Sequence, residues 1–138
     1  MSVTLKRIDL VVLFVADLER AKAFYRDTLG LALKFEDPDS AFFEMEGNSL
    51  LLLTIAGAQD LLSSKDVATQ HPTGASSQLV AFVEDVDAIY ADLAAQGVEF
   101  VRKPIDRAWG LRTAHFKDPD GNIWEISQSL AKDSEQPD

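Results

Sequence analysis

Hydrophobic residues along the chain follow two periods, and they do so twice in the same order. Leu10-Val11-Val12-Leu13-Phe14-Val15-Ala16 is a short apolar run closed by Asp17, and Gln78-Leu79-Val80-Ala81-Phe82-Val83-Glu84 ends likewise at Asp85. Runs of this length predict buried strands. After each Asp the apolar period lengthens to three or four residues, through Leu18, Ala21, Phe24, Tyr25 and Leu29 and again through Val86, Ile89, Tyr90 and Leu93, which predicts two amphipathic helices. Asp17 and Asp85 suit the N-cap, and Glu19 and Asp87 place negative charge at the positive end of each helix dipole. Gly30 and Gly97 are the expected left-handed stops. Strands are predicted over 31–36 and 98–103, then 41–46 and 112–117, followed by the Gly47-Asn48 and Gly121-Asn122 turns and last strands over 50–55 and 123–128.

Each half is therefore strand, helix and three strands, and the halves match over roughly residues 8–55 and 78–128. The predicted fold is α+β, built from two tandem βαβββ modules at about 5–56 and 77–129 with a linker over 57–76. One half alone would leave the inner face of its sheet in water, so a second half must cover it, and a cleft between sheets is a natural ligand site. The offset between copies is 97 − 30 = 67 at the helix stops and 121 − 47 = 74 at the turns, so seven residues have entered the second copy. They are expected around Pro104-Ile105-Asp106-Arg107-Ala108-Trp109-Gly110, either as a functional loop or as a longer hairpin connection whose Trp covers the sheet end. The polar linker, with His71-Pro72-Thr73-Gly74 as a turn cluster, reads as a connector or a flap, and the charged tail 131–138 as disordered.

Charge narrows the partners. Thirteen Lys and Arg against 23 Asp and Glu give a net charge of −10, which repels nucleic acid and anionic membrane surfaces. The absence of Cys removes disulfides, thiolate metal sites and cysteine nucleophiles, and suits a cytoplasmic location. The first apolar run is too short for a membrane span and lacks a signal-peptide cleavage site. No Gly-rich phosphate loop or serine nucleophile elbow occurs, so nucleotide hydrolysis and covalent catalysis have no support.

The segments Val15-Ala16-Asp17-Leu18-Glu19-Arg20-Ala21-Lys22-Ala23-Phe24-Tyr25-Arg26-Asp27-Thr28-Leu29-Gly30-Leu31 and Asp118-Pro119-Asp120-Gly121-Asn122-Ile123-Trp124-Glu125 resemble the vicinal oxygen chelate superfamily. That group contains glyoxalase I, bleomycin-resistance proteins, fosfomycin-modifying enzymes and extradiol dioxygenases. The resemblance implies paired modules whose curved mixed sheet surrounds a cavity, in a homodimer, but the fold does not fix the activity. It also implies a divalent metal held by inward His, Gln or Glu from the first and last strands of each module. Seven residues before each capping Asp stand Leu10 and Gln78, and four after each turn Gly stand Leu51 and Glu125. Two of these four side chains have no lone pair, so no cofactor is expected, and a metal would need substrate oxygens or water beside Gln78 and Glu125. A one-residue register slip would instead turn Asp9, Glu44 or His115 toward the cleft.

The expected ligand site has apolar walls from Leu10, Val12, Phe14, Leu51, Leu53, Val80, Phe82 and Trp109, with Gln78, Arg112 and Glu125 as orienting polar groups. Alternation puts Glu125 opposite Trp124 and Ile126, and it reads either as a ligand-facing carboxylate or as an ion-pair partner of Arg112. Gln78 reads as a ligand contact or as the polar start of a strand. Arg112 suits a ligand carboxylate or phosphate, and Trp109 a flat or cationic ligand. His115 reads as a surface or sheet-packing residue. The functional expectation is a metal-independent binder of a small, partly aromatic molecule, similar to the antibiotic-sequestering members. The competing one is a glyoxalase-like lyase or isomerase using a metal on Gln78, Glu125 and substrate oxygens, or Glu125 alone as general base.

Overall fold

The structure, a computed structural model, describes residues 5–69, 74–75 and 77–131. The chain divides into two compact units, Met1–His71 and Pro72–Asp138. The first unit runs β1 (Leu10–Val15), α1 (Leu18–Ala23), a π-helical turn (Phe24–Thr28), β2 (Ala32–Asp37), β3 (Ser40–Met45), β4 (Asn48–Thr54), α2 (Ile55–Leu61) and a 3-10 turn (Ser64–Asp66). The second runs β5 (Gln78–Phe82), α3 (Val86–Ala95), β6 (Phe100–Asp106), β7 (Leu111–Lys117) and β8 (Ile123–Ser129). Each unit holds one four-stranded mixed sheet, in the orders β1-β4-β3-β2 and β5-β8-β7-β6, with the first strand parallel to the last. The expected α+β duplication is what the chain adopts.

The duplication extends to the register. Val12 faces Leu51 across β1 and β4, and Val80 faces Glu125 across β5 and β8. The helices begin as the pattern predicts: Asp17 accepts from the Arg20 amide at 3.1 Å and Asp85 from the Ala88 amide at 3.0 Å. Gly30 and Gly97 sit at φ 76° and 87°, where a Cβ would be strained.

Each sheet buries one face beneath its own helix. In the first unit Val15, Ala41, Phe43, Leu50 and Leu52 pack with Leu18, Ala21 and Tyr25, and the Tyr25 and Phe43 rings lie 6.2 Å apart. Lys22, 7 % exposed, keeps its ammonium paired with Glu19 and Glu36, which raises its pKa, Glu36 being the larger cause. In the second unit Tyr90, Phe100, Phe116 and Trp124 form a chain of ring contacts at 4.7, 5.6 and 6.3 Å, running from the helix across the sheet.

Three expectations need correction. The strand predicted over 98–103 lies at Phe100–Asp106, because the Val98 amide still caps the helix on Leu93 O at 3.0 Å. Pro104 is tolerated because β6 is an edge strand. The seven added residues also divide: pairing sums of 93 for β3/β4 and 240 for β7/β8 set the β3-to-β7 offset at 240 − 93 − 74 = 73. Six residues therefore lengthen the β6–β7 hairpin, and one enters the β7–β8 turn. Finally, the linker begins with α2, capped by Thr54 Oγ1 accepting from the Gly57 amide at 3.0 Å, with Ala58 fully buried. His71, Pro72, Thr73 and 132–138 lie outside the described residues. Among the described residues no helix is long and apolar enough to cross a membrane.

The two faces of the second sheet carry opposite expectations for stability. Phe116→Ala removes a ring that is 2 % exposed and lies between two others, and is expected to cost about 3–5 kcal/mol in urea unfolding followed by fluorescence. Phe82→Ala, on a side chain 76 % exposed, is expected to stay within about 0.5 kcal/mol of wild type.

Candidate functional site

The face of each sheet turned away from its helix carries the sequence-predicted residues. In the first unit Leu10, Val12 and Phe14 of β1 share this open face with Leu51 and Leu53 of β4, since Val12 pairs with Leu51 and Phe14 with Leu53. Leu51 faces Phe42 on its other side, and Phe42 faces Phe35, their rings 5.1 Å apart. A bulge in β2 between Leu33 and Phe35 brings Phe35 onto this row. Leu10 (39 %) and Val12 (37 %) remain exposed.

The open face of the second unit is more polar. Val80, Glu125, His115 and Arg102 form one row across β5, β8, β7 and β6, and Phe82, Ser127, Thr113 and Ile105 form the next. His115 Nε2 lies 2.9 Å from Glu125 Oε1, with both side chains about one-sixth exposed, at 15 % and 16 %. A carboxylate only accepts, so Nε2 donates the hydrogen and Nδ1 is the ring nitrogen outside this contact. Among the described residues that Nδ1 is buried without a hydrogen-bond partner, and so is the hydroxyl of the fully buried Ser127. Gln78 is exposed at the start of β5, opposite Ile123, and Phe82 is the most exposed aromatic side chain of this face.

Arg112 lies on the other face. It alternates with Ala114 and Phe116, and its guanidinium joins Asp87 of α3 at 3.0 Å to Asp106 of β6 at 2.8 Å. Asp87 first and Asp106 second raise its pKa still further. The expected Arg112–Glu125 ion pair is therefore replaced by two others, Arg112 with the acids beside the helix and Glu125 with His115. Trp109 is 70 % exposed in the β6–β7 turn, and the Arg107 guanidinium sits 5.8 Å from its ring centroid. Arg107 also donates from Nε to Thr113 Oγ1 at 3.0 Å, on the open face.

The sequence reading gave His115 only a surface or sheet-packing role and Arg107 only a place in the added loop. The signal for His115 was the hairpin itself: Asp120 is the midpoint of the β7–β8 pairing, so residues five before and five after it are cross-strand partners on one face. No register slip is needed to bring His115 beside Glu125. Arg107 had no such signal, because its position depends on the irregular pairing of β6.

The donor set does not fit the metal that the superfamily resemblance implies. Leu10 and Leu51 offer no lone pair, and among the described residues no group of three or more His, Asp or Glu could hold an ion. The Asp118–Asn122 turn is not a metal loop either. The Asp118 carboxylate accepts from the Asp120 amide at 2.9 Å, and from the Asn122 amide and Nδ2 at 2.8 Å each.

Comparison with known proteins bears on the whole chain. A family model of the Glyoxalase/Bleomycin resistance protein/Dioxygenase superfamily matches residues 7–126. The chain belongs to that superfamily. Among superfamily structures, a glyoxalase/bleomycin resistance protein/dioxygenase from Nocardioides is similar at TM-score 0.82 and 27 % identity, over 99 % of this chain and 93 % of that one. A lactoylglutathione lyase from Agrobacterium tumefaciens is similar at TM-score 0.67 and 26 % identity, over 88 % and 92 %. The uncharacterized protein YraH of Bacillus subtilis is 33 % identical over 121 residues, 86 % of this chain and 94 % of its own.

The His115–Glu125 contact yields a stability prediction. A double-mutant cycle of His115→Ala and Glu125→Ala, read by urea unfolding, is expected to give a coupling of about 1–3 kcal/mol, because either single change strands a largely buried polar partner.

Proposed function

We propose that this superfamily member binds a small, partly aromatic organic molecule against its open sheet faces without a metal, in a sequestering or resistance-type role. The observation that carries the reading is the chemistry of the open faces. Leucines occupy two of the four expected metal-ligand positions, and exposed apolar side chains line the strands beside them, Val12 and Val80 among them. Such faces favour apolar and aromatic ligands, with a few polar groups to orient them. Gln78, Glu125 and His115 supply those groups in the second unit. The working form proposed is a cytoplasmic homodimer, the assembly that the family resemblance implies.

A second reading is supported by the orientation of Glu125. With His115 Nε2 donating to Oε1, Oε2 is left to accept a proton, as a general base in a glyoxalase-like lyase or isomerase requires. The similarity to the Agrobacterium tumefaciens lyase agrees with it. On this reading Glu125 takes a proton from a carbon next to a carbonyl and returns it to the neighbouring atom.

Elemental analysis and thermal melting decide between metal-free and metal-dependent forms. Purified protein is expected to carry no stoichiometric metal and to melt at the same temperature with chelator or with added Ni(II), Zn(II), Mn(II) or Fe(II). Stoichiometric metal whose removal lowers the melting temperature would overturn the reading. For the alternative, solvent-hydrogen exchange into methylglyoxal–thiol adducts, lost in Glu125→Gln, is the supporting result. Binding of 2-naphthol with no exchange leaves sequestration standing.

A further inference from the structure

The expected anion-binding arginine, Arg112, is fully engaged on the helix side of its sheet with Asp87 and Asp106. The open face of the same sheet has two other arginines, Arg102 in the row of His115 and Glu125, and Arg107 beside Thr113. Arg107 belongs to the residues added to the second copy, and the pairing of its amide with Leu111 O at 2.7 Å sets it on the face of Leu111 and Thr113. Its Nε donates to Thr113 Oγ1, and its guanidinium lies against Trp109. Neither contact neutralises its charge, and among the described residues its Nη nitrogens have no hydrogen-bond acceptor.

Two carboxylates of the same sheet are committed elsewhere. Asp106 pairs with Arg112 on the opposite face, and Glu125 with His115. Across the register from Thr113 stands Ser127, whose buried hydroxyl has no hydrogen-bond partner among the described residues. The face thus combines a guanidinium without a counter-ion among the described residues, a neighbouring hydroxyl and a Trp ring that is 70 % exposed. A planar fork of N–H donors matches a carboxylate bidentately, and an exposed Trp face stacks on a flat ring. The net charge of −10 does not prevent this, since charges beyond about 8 Å are largely screened at physiological salt.

We infer that Arg107, with Trp109 beside it, is the recognition site for the carboxylate of a flat aromatic acid, which makes the bound molecule of the proposed function an aromatic carboxylate. The inference rests on the ligand-binding reading and sharpens it. Arg107 fixes the acid group, Trp109 receives the ring, and the Thr113 hydroxyl holds the guanidinium in place.

The test is calorimetric titration of full-length protein with 2-naphthoate and with its neutral methyl ester. Wild type is expected to bind the acid at least about tenfold more tightly than the ester, as a charge-assisted bidentate contact gives. In Arg107→Gln the ratio is expected to fall to about one with ester affinity retained, which also shows that the variant is folded. Arg107→Lys is expected to restore part of the preference. Arg26→Gln, which removes an equal charge from the first unit, is expected to leave the ratio unchanged. Equal binding of acid and ester, or a preference that survives Arg107→Gln, overturns this inference and leaves the binding function standing. Failure of both probes to bind at millimolar concentration overturns the binding function, and this inference with it.

Discussion

Each unit of this protein depends on the parity of its strands. A four-stranded sheet has two faces, and the amphipathic helix that follows its first strand can bury only one of them. Once Phe43, Leu50 and Leu52 in the first unit, or Phe116, Trp124 and Ile126 in the second, pack beneath that helix, every alternate residue is committed to the other face. A shift of one residue would put Glu125 and His115 under α3 and Trp124 in their place, so the core that stabilises the unit also fixes which side chains can meet a ligand.

The same constraint accounts for the rearranged charges. Arg112 is one residue from Thr113, and that single step moves its guanidinium to the helix side, where Asp87 and Asp106 receive it. Glu125 is left on the open side with His115 across the strand. The β6–β7 hairpin, longer by six residues than its counterpart, carries Arg107 back to the open face. Duplication gave the two sheets one plan, and local additions at a hairpin made them different surfaces.

Membership of the superfamily and the chemistry of the open faces speak to separate questions. The shared fold explains why the helix caps, the turn glycines and the cross-strand registers repeat between the units. It does not supply donor atoms where the chain has leucine. Leu51 joins Val12, Phe42 and Phe35 in one apolar row, a surface suited to hydrocarbon and aromatic groups, while Leu10 lies in the next row with Ser49 and Glu44, and the second unit's open face carries the His115–Glu125 contact.

Period, capping residue and turn type are local properties, and the sequence by itself determined what depends on them: the duplicated order of elements, the Asp17 and Asp85 caps, the Gly30 and Gly97 stops, and the face on which Leu10, Leu51, Gln78 and Glu125 lie. The helix α2 escaped because its cap, Thr54, reads as the end of a strand and its buried contact is a single Ala58. Which charged groups pair was decided only by tertiary structure. The sequence offered Glu125 either a ligand or Arg112, and only the register of β7 against β8, with α3 supplying Asp87 to Arg112, sets it beside His115 instead. An ion pair needs two side chains on the same face at a few ångströms, and that distance is a property of neighbouring strands and helices rather than of either residue's own segment.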